Sequence, residues 1–81
     1  MLTLDKLWNY HKKHDVLGCE IGDGCACFID KLLNGNWQVR KLNQWDICVF
    51  KRILPKNVSD EDFKTTLAEM LITYGRQGKA M

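Results

Sequence analysis

Proline is nearly missing from this chain: Pro55 is the only one in 81 residues, and the six glycines are scattered rather than gathered into a loop. Proline-rich or glycine-rich linkers are thereby excluded, and the sequence shows no internal repeat or low-complexity tract. No apolar run approaches the roughly 20 residues that a helix needs to cross a bilayer. Met1-Leu2-Thr3-Leu4-Asp5-Lys6 also lacks a basic leader followed by an apolar stretch. No membrane partner is expected, and the expected compartment is the cytoplasm. In that reducing setting the four cysteines, Cys19, Cys25, Cys27 and Cys48, are expected as thiols.

Phosphate-binding and acid–base machinery are scarce as well. Gly18, Gly22 and Gly24 lack the following helix and lysine of a phosphate cradle. The carboxylates are scattered or gathered at Asp60-Glu61-Asp62, where capping a helix explains them. With only two histidines and no cysteine singled out as a nucleophile, the chain is read as a non-enzyme with no cofactor.

What is present describes a packed globule. An apolar share of 46%, eight aromatics and 27% charge fit a folded chain. The length allows one domain, residues 1–75, followed by a flexible tail, residues 76–81. A domain of this size buries about 60 to 65% of its unfolded surface, so its stability margin is thin.

Asn34-Gly35 is the strongest local signal. It stands between Leu32-Leu33 and Trp37-Gln38-Val39, and Asn-Gly accepts the positive φ of a tight turn at low steric cost. Antiparallel strands are therefore predicted on either side. Upstream, Leu4, Leu7, Trp8 and His11 recur at helical spacing and predict a helix from Leu4 to about His14, with Thr3 as N-cap. Leu17, Cys19 and Ile21 alternate with Gly18 and Glu20, predicting a strand over Val16–Ile21. Cys25–Leu33 fits either a strand or a helical stripe, and the turn signals at both ends favour the strand. Trp37–Leu42 and Asp46–Ile53 complete the strands. Ser59 then opens a helix whose stripe runs through Phe63, Leu67, Met70, Leu71 and Tyr74, with Gly75 ending it. The predicted fold is α+β: an antiparallel meander of three or four strands flanked by an N-terminal and a C-terminal helix.

The last strand is apolar on both sides. Ile47 and Val49 point one way, Cys48, Phe50 and Leu54 the other. One helix cannot cover both, so either the first helix lies on the face opposite the second or part of the sheet is a partner surface.

The cysteines and histidines are the candidates for metal chemistry. Cys19-x5-Cys25-x-Cys27 with Cys48 offers thiolates for zinc, but the spacing departs from the paired Cys-x2-4-Cys knuckles of structural sites. Small buried cysteine is the commoner outcome. His11 and His14 share a helix face without an acidic or cysteine companion, which reads as a half-buried His11 beside Trp8 and a solvated His14.

The remaining signal is basic and aromatic. From Arg40 to Lys56 five bases stand against Asp46 alone, giving +4, whereas from Ser59 to Ile72 four acids face Lys64, giving −3. Trp37, Arg40, Lys41, Trp45, Lys51 and Arg52 lie on neighbouring strands and form the candidate surface for a protein partner or for nucleic acid. Alternation sends Arg40 and Lys41 to opposite faces, and Lys51 and Arg52 likewise, so at most half of these bases share a surface.

The order helix, strands, helix is similar in outline to the double-stranded-RNA-binding domain. A three-stranded sheet backed by one helix also resembles the arm-binding domains of phage integrases and their plant relatives. The RNA-binding domain opens its second helix with lysines that meet phosphate, whereas this chain opens it with Asp60-Glu61-Asp62, which repels phosphate. The expected function is accordingly that of a small regulator or adaptor that binds another protein or itself through a sheet face or edge. Nucleic-acid binding is the alternative and a zinc module the second alternative. Economy of size suits a phage or mobile-element accessory protein.

Overall fold

A computed structural model describes residues 2–73, and every structural statement below concerns those residues. The elements are α1 (Leu4–His14), β1 (Leu17–Gly22), β2 (Cys25–Lys31), β3 (Trp37–Leu42), β4 (Cys48–Leu54) and α2 (Asp60–Ile72). The four strands form one antiparallel sheet in the order β1-β2-β3-β4. The predicted α+β meander with a helix at each end is the observed fold, and the stretch after Cys25 is a strand.

Local chemistry accounts for the boundaries. The Thr3 hydroxyl accepts the Lys6 N–H at 3.3 Å, and the Ser59 hydroxyl accepts that of Asp62 at 3.1 Å, so each helix begins with a capped donor. Asp60, Glu61 and Asp62 lie in the first turn of α2, where negative charge suits the helix dipole. At the β2–β3 connection the Gly35 N–H bonds the Leu32 carbonyl at 2.9 Å, and the Asn34 side chain accepts the Asn36 N–H at 2.9 Å. Gly35 has φ +91°, and a Cβ there would stand 3.3 Å from Lys56 Cδ. Gly35→Ala is therefore expected to cost about 1 kcal/mol, read as a lower urea midpoint at unchanged slope.

β4 begins later than the predicted strand. Asn43 explains the delay: its Oδ1 accepts the N–H groups of Trp45 and Ile47 at 2.9 and 3.0 Å, holding residues 43–47 as a loop. The strand then takes in one extra residue, Val49, because Lys41 pairs with Phe50 while Leu42 pairs with Cys48. At the other end of the chain α2 stops at Ile72, with Thr73 capping it in an extended conformation. Tyr74, Gly75 and the predicted tail at 76–81 lie outside the described residues.

Both helices pack on the same side of the sheet. Leu7 of α1 and Phe63, Leu67 and Met70 of α2 meet Ile21, Cys25, Cys27, Ile29, Val39 and Leu54 in one core. At about 1.5 to 3 kcal/mol per large apolar side chain, this layer supplies most of the folding drive. Of the two arrangements the two-sided β4 allowed, the structure takes the one in which the second sheet face has no helix over it.

Candidate functional site

Alternation and register decide what the uncovered face presents. On the covered side, Trp37, Val39 and Lys41 pair with Leu54, Arg52 and Phe50, while Cys27 pairs with Cys19. The opposite side carries the residues between them. One row across all four strands reads Gly18, Phe28, Arg40, Lys51, and the flanking rows contain Glu20, Ala26, Leu42 and Cys48 toward one end and Asp30, Gln38 and Ile53 toward the other. The extra residue Val49 thus turns Cys48 to the face opposite Phe50 and Leu54, whereas simple alternation puts all three together.

The central row is ordered by contact. Phe28 lies over Gly18 so closely that a Cβ at position 18 would stand 2.8 Å from its ring. An aromatic covering a glycine on an edge strand replaces the side-chain packing that the glycine lacks. The Arg40 guanidinium sits 5.2 Å from the Phe28 ring centre and donates from Nη2 to Asp30 Oδ2 at 3.0 Å. Lys51 is exposed at the β4 edge, and Glu20 at the β1 edge. Ile53 is 51% exposed on this face.

The six residues singled out from sequence do not form one surface. Arg40 and Lys51 stand on the uncovered face. Trp37 is on the covered side, edge-on to Phe63 with ring centres 5.7 Å apart. Lys41 is only 5% exposed, and its ammonium donates to the carbonyls of Met70, Leu71 and Thr73 at the end of α2. Arg52 reaches α2 and forms an ion pair with Glu69. Trp45 stands on the β3–β4 loop with 59% exposure. Sequence reasoning missed Phe28, Glu20 and Asp30; the helix-or-strand ambiguity of Cys25–Leu33 left the facing of Phe28 and Asp30 open, and once that segment is a strand, period-2 alternation finds both.

Of the remaining reactive groups, His11, Cys25 and Cys27 are buried and Cys19 half-buried, while His14 and Cys48 are exposed. Burial pushes the Cys27 thiol up to about 12, with the Cys19 thiol beside it acting in the same direction. Burial likewise raises the Cys19 thiol above its ordinary value. Cys25 is buried near the β1–β2 turn, and Cys48 is exposed on β4, on the far side of β3 from the other three. No group of three or more His, Cys, Asp or Glu side chains among the described residues is placed to hold a metal ion. His11 is enclosed by Trp8, Trp37 and Phe63, with its Nδ1 2.7 Å from the Asp15 carbonyl oxygen. No described helix is long and apolar enough to cross a membrane. No protein-family model, curated protein or solved structure matches this chain.

Proposed function

We propose that this chain is a non-enzymatic binding module that recognises another polypeptide through the uncovered face of its sheet. One observation carries the reading: both helices lie on one side, so Phe28, Leu42 and Ile53 on the other have no layer over them among the described residues. A sheet with one apolar-centred, unlayered face gains stability from whatever covers it.

Charge favours a polypeptide over nucleic acid. Arg40 and Lys51 on this face are matched by Glu20 and Asp30, so its formal charge is zero, and Asp30 already engages Arg40. Phosphate recognition needs uncompensated bases, and the others of the predicted set, Lys41 and Arg52, are directed into α2. The Phe28 ring already packs on Gly18 and lies against the Arg40 guanidinium, so a base stacking on it would have to displace that cation. Catalysis has equally little support, since His11 and Cys27 are buried and the exposed Cys48 stands on the far edge strand from the other three thiols, with no metal-holding cluster of His, Cys, Asp or Glu among the described residues.

Immobilised wild-type chain incubated with an extract of its native host provides the test. A polypeptide partner, foreign or a further copy, is expected to be retained by wild type and released by Ile53→Glu, with the Tm of the two baits within about 2 °C. Retention is expected to survive nuclease and to change only a few-fold between 50 and 300 mM salt. Retention that collapses with salt and nuclease would establish the nucleic-acid reading instead.

A further inference from the structure

The uncovered face is electrically divided along the sheet. Its acids, Glu20 and Asp30, are on β1 and β2; its bases, Arg40 and Lys51, are on β3 and β4. With the strand order β1-β2-β3-β4, one half of the face carries −2 and the other +2. A foreign partner would need the complementary division, and a second copy of this chain already has it.

We infer that two copies pair through this face about a two-fold axis lying between the sheets and parallel to the strands, placing the acidic strands of each over the basic strands of the other. The inference rests on the binding-face reading and names its occupant. Symmetry selects the arrangement. Rotation about an axis along the strands carries β1 of one copy over β4 of its partner, whereas rotation about an axis across the strands sets β1 over β1 and acid over acid. The first arrangement is attractive throughout and the second repulsive throughout.

Side-chain reach is adequate. Stacked sheets lie about 10 Å apart, and Glu20 and Lys51 stand in adjacent rows, about 6.6 Å apart along the strand direction. Long side chains on both span that offset. Phe28 and Ile53 supply the apolar centre, and the Asp30–Arg40 pair keeps the inner charges matched inside each copy, so the outer Glu20–Lys51 contacts set orientation. Four strands at about 4.8 Å spacing and about 20 Å length give a face of roughly 400 Å² in projection. That is at the small end of specific interfaces, the class of weak and transient association.

Sedimentation velocity of the full chain from about 5 to 500 μM, together with charge exchange, tests this. Wild type is expected to move from the 9.4 kDa monomer to twice that mass across the range. Glu20→Lys and Lys51→Glu are each expected to weaken pairing by at least about tenfold, because each sets like charges opposite one another twice. Mixing the two variants is expected to restore wild-type affinity in a heterodimer, since every contact is then Lys against Glu. Circular dichroism checks that both variants remain folded. Wild type monomeric at every concentration overturns the inference, as does a dimer that neither substitution weakens or whose variants fail to recombine. If such a monomer still retains a foreign protein that Ile53→Glu releases, self-pairing falls and the binding face stands. If Ile53→Glu alters neither mass nor retention, both fall.

Discussion

Lys41→Ala is expected to remove about 3 to 5 kcal/mol of folding stability, enough to leave this small domain partly unfolded at 25 °C. The Lys41 ammonium donates to the carbonyls of Met70 at 3.3 Å, Leu71 at 3.4 Å and Thr73 at 2.5 Å. These belong to the end of α2, where backbone acceptors have no partner within the helix and the dipole is negative. Hydrogen bonds to a charged group contribute about 1.5 to 3 kcal/mol each and do not add fully. Buried ion pairs are often replaceable by hydrophobes at no cost, because both partners leave together. Here the acceptors are main chain and stay behind, at least partly buried, after the lysine is gone. The Met70 carbonyl keeps the Thr73 N–H at 3.3 Å, and the Leu71 and Thr73 carbonyls lose their charged donor, so the cost of unmade bonds dominates. Lys41→Met separates the parts: the aliphatic stem is kept and only the ammonium is lost, for an expected cost of about 2 to 3 kcal/mol. A domain of this length holds about 4 to 12 kcal/mol in total, so both variants fall within reach of urea titration. Native-state hydrogen exchange should show the loss concentrated in the last turn of α2. A Lys41→Met protein as stable as wild type would mean that the ammonium contributes nothing.

The same residue marks the limit of what the sequence discloses. Lys41 alternates in step with Trp37 and Val39, which puts the three on one face of β3 but does not say that α2 covers that face, and the candidate surface therefore includes a buried lysine. Its acceptors, however, are backbone carbonyls 29 to 32 positions away, and every residue has a carbonyl. No pattern of residue types points to them. The elements themselves were legible because their signals are local: the Leu4, Leu7, Trp8, His11 stripe, the Asn34-Gly35 turn and the Ser59 cap each act within a few residues. Where the signals compete, the boundary moved. Asp46 and Ile47 read as strand by alternation, but the Asn43 side chain takes the N–H groups of Trp45 and Ile47 and converts the segment to a loop.

For the candidate face, alternation predicts apolar residues on both sides of β4 but places Ile47 and Val49 there, whereas the Asn43 loop and the extra residue Val49 leave that side to Cys48, Lys51 and Ile53; nor does it say which side the helices take. That choice is tertiary. It follows from α1 and α2 meeting each other through Trp8, His11 and Phe63, which places both on one layer. The charge division of the other face then follows from strand order alone, since Glu20, Asp30, Arg40 and Lys51 each occupy a different strand.

The second large effect belongs to His11, whose burial makes the fold sensitive to acid. Its ring stacks on Phe63 with centres 4.4 Å apart, meets Trp37 edge-on at 5.1 Å and lies against Trp8 at 5.4 Å. Because a carbonyl only accepts, Nδ1 carries the proton and donates to Asp15 at 2.7 Å. Charging the ring would add a proton at Nε2 within this aromatic wall. Burial lowers the His11 pKa below its usual 6.5; the hydrogen bond to the Asp15 backbone opposes the shift, the Lys12 charge adds to it, and the Asp15 and Asp60 carboxylates oppose it. The unfolded chain therefore binds this proton at a higher pH than the folded one. Stability from neutral His11 is fully present above pH 6.5 and is lost as pH falls below it toward the folded pKa. His11→Phe keeps the ring and removes the titration. At pH 7.5 it is expected to be about 1 kcal/mol less stable than wild type, having lost the bond to Asp15. Toward pH 5 that gap should close or reverse, because wild type then bears the cost of charging the buried ring and His11→Phe does not. His11→Ala, which leaves the three surrounding rings facing a void, is expected to lose about 3 kcal/mol or more at pH 7.5. Tm measured from pH 7.5 to 5.0 for the three proteins decides the matter: parallel curves for wild type and His11→Phe would show that protonation of His11 carries no folding cost.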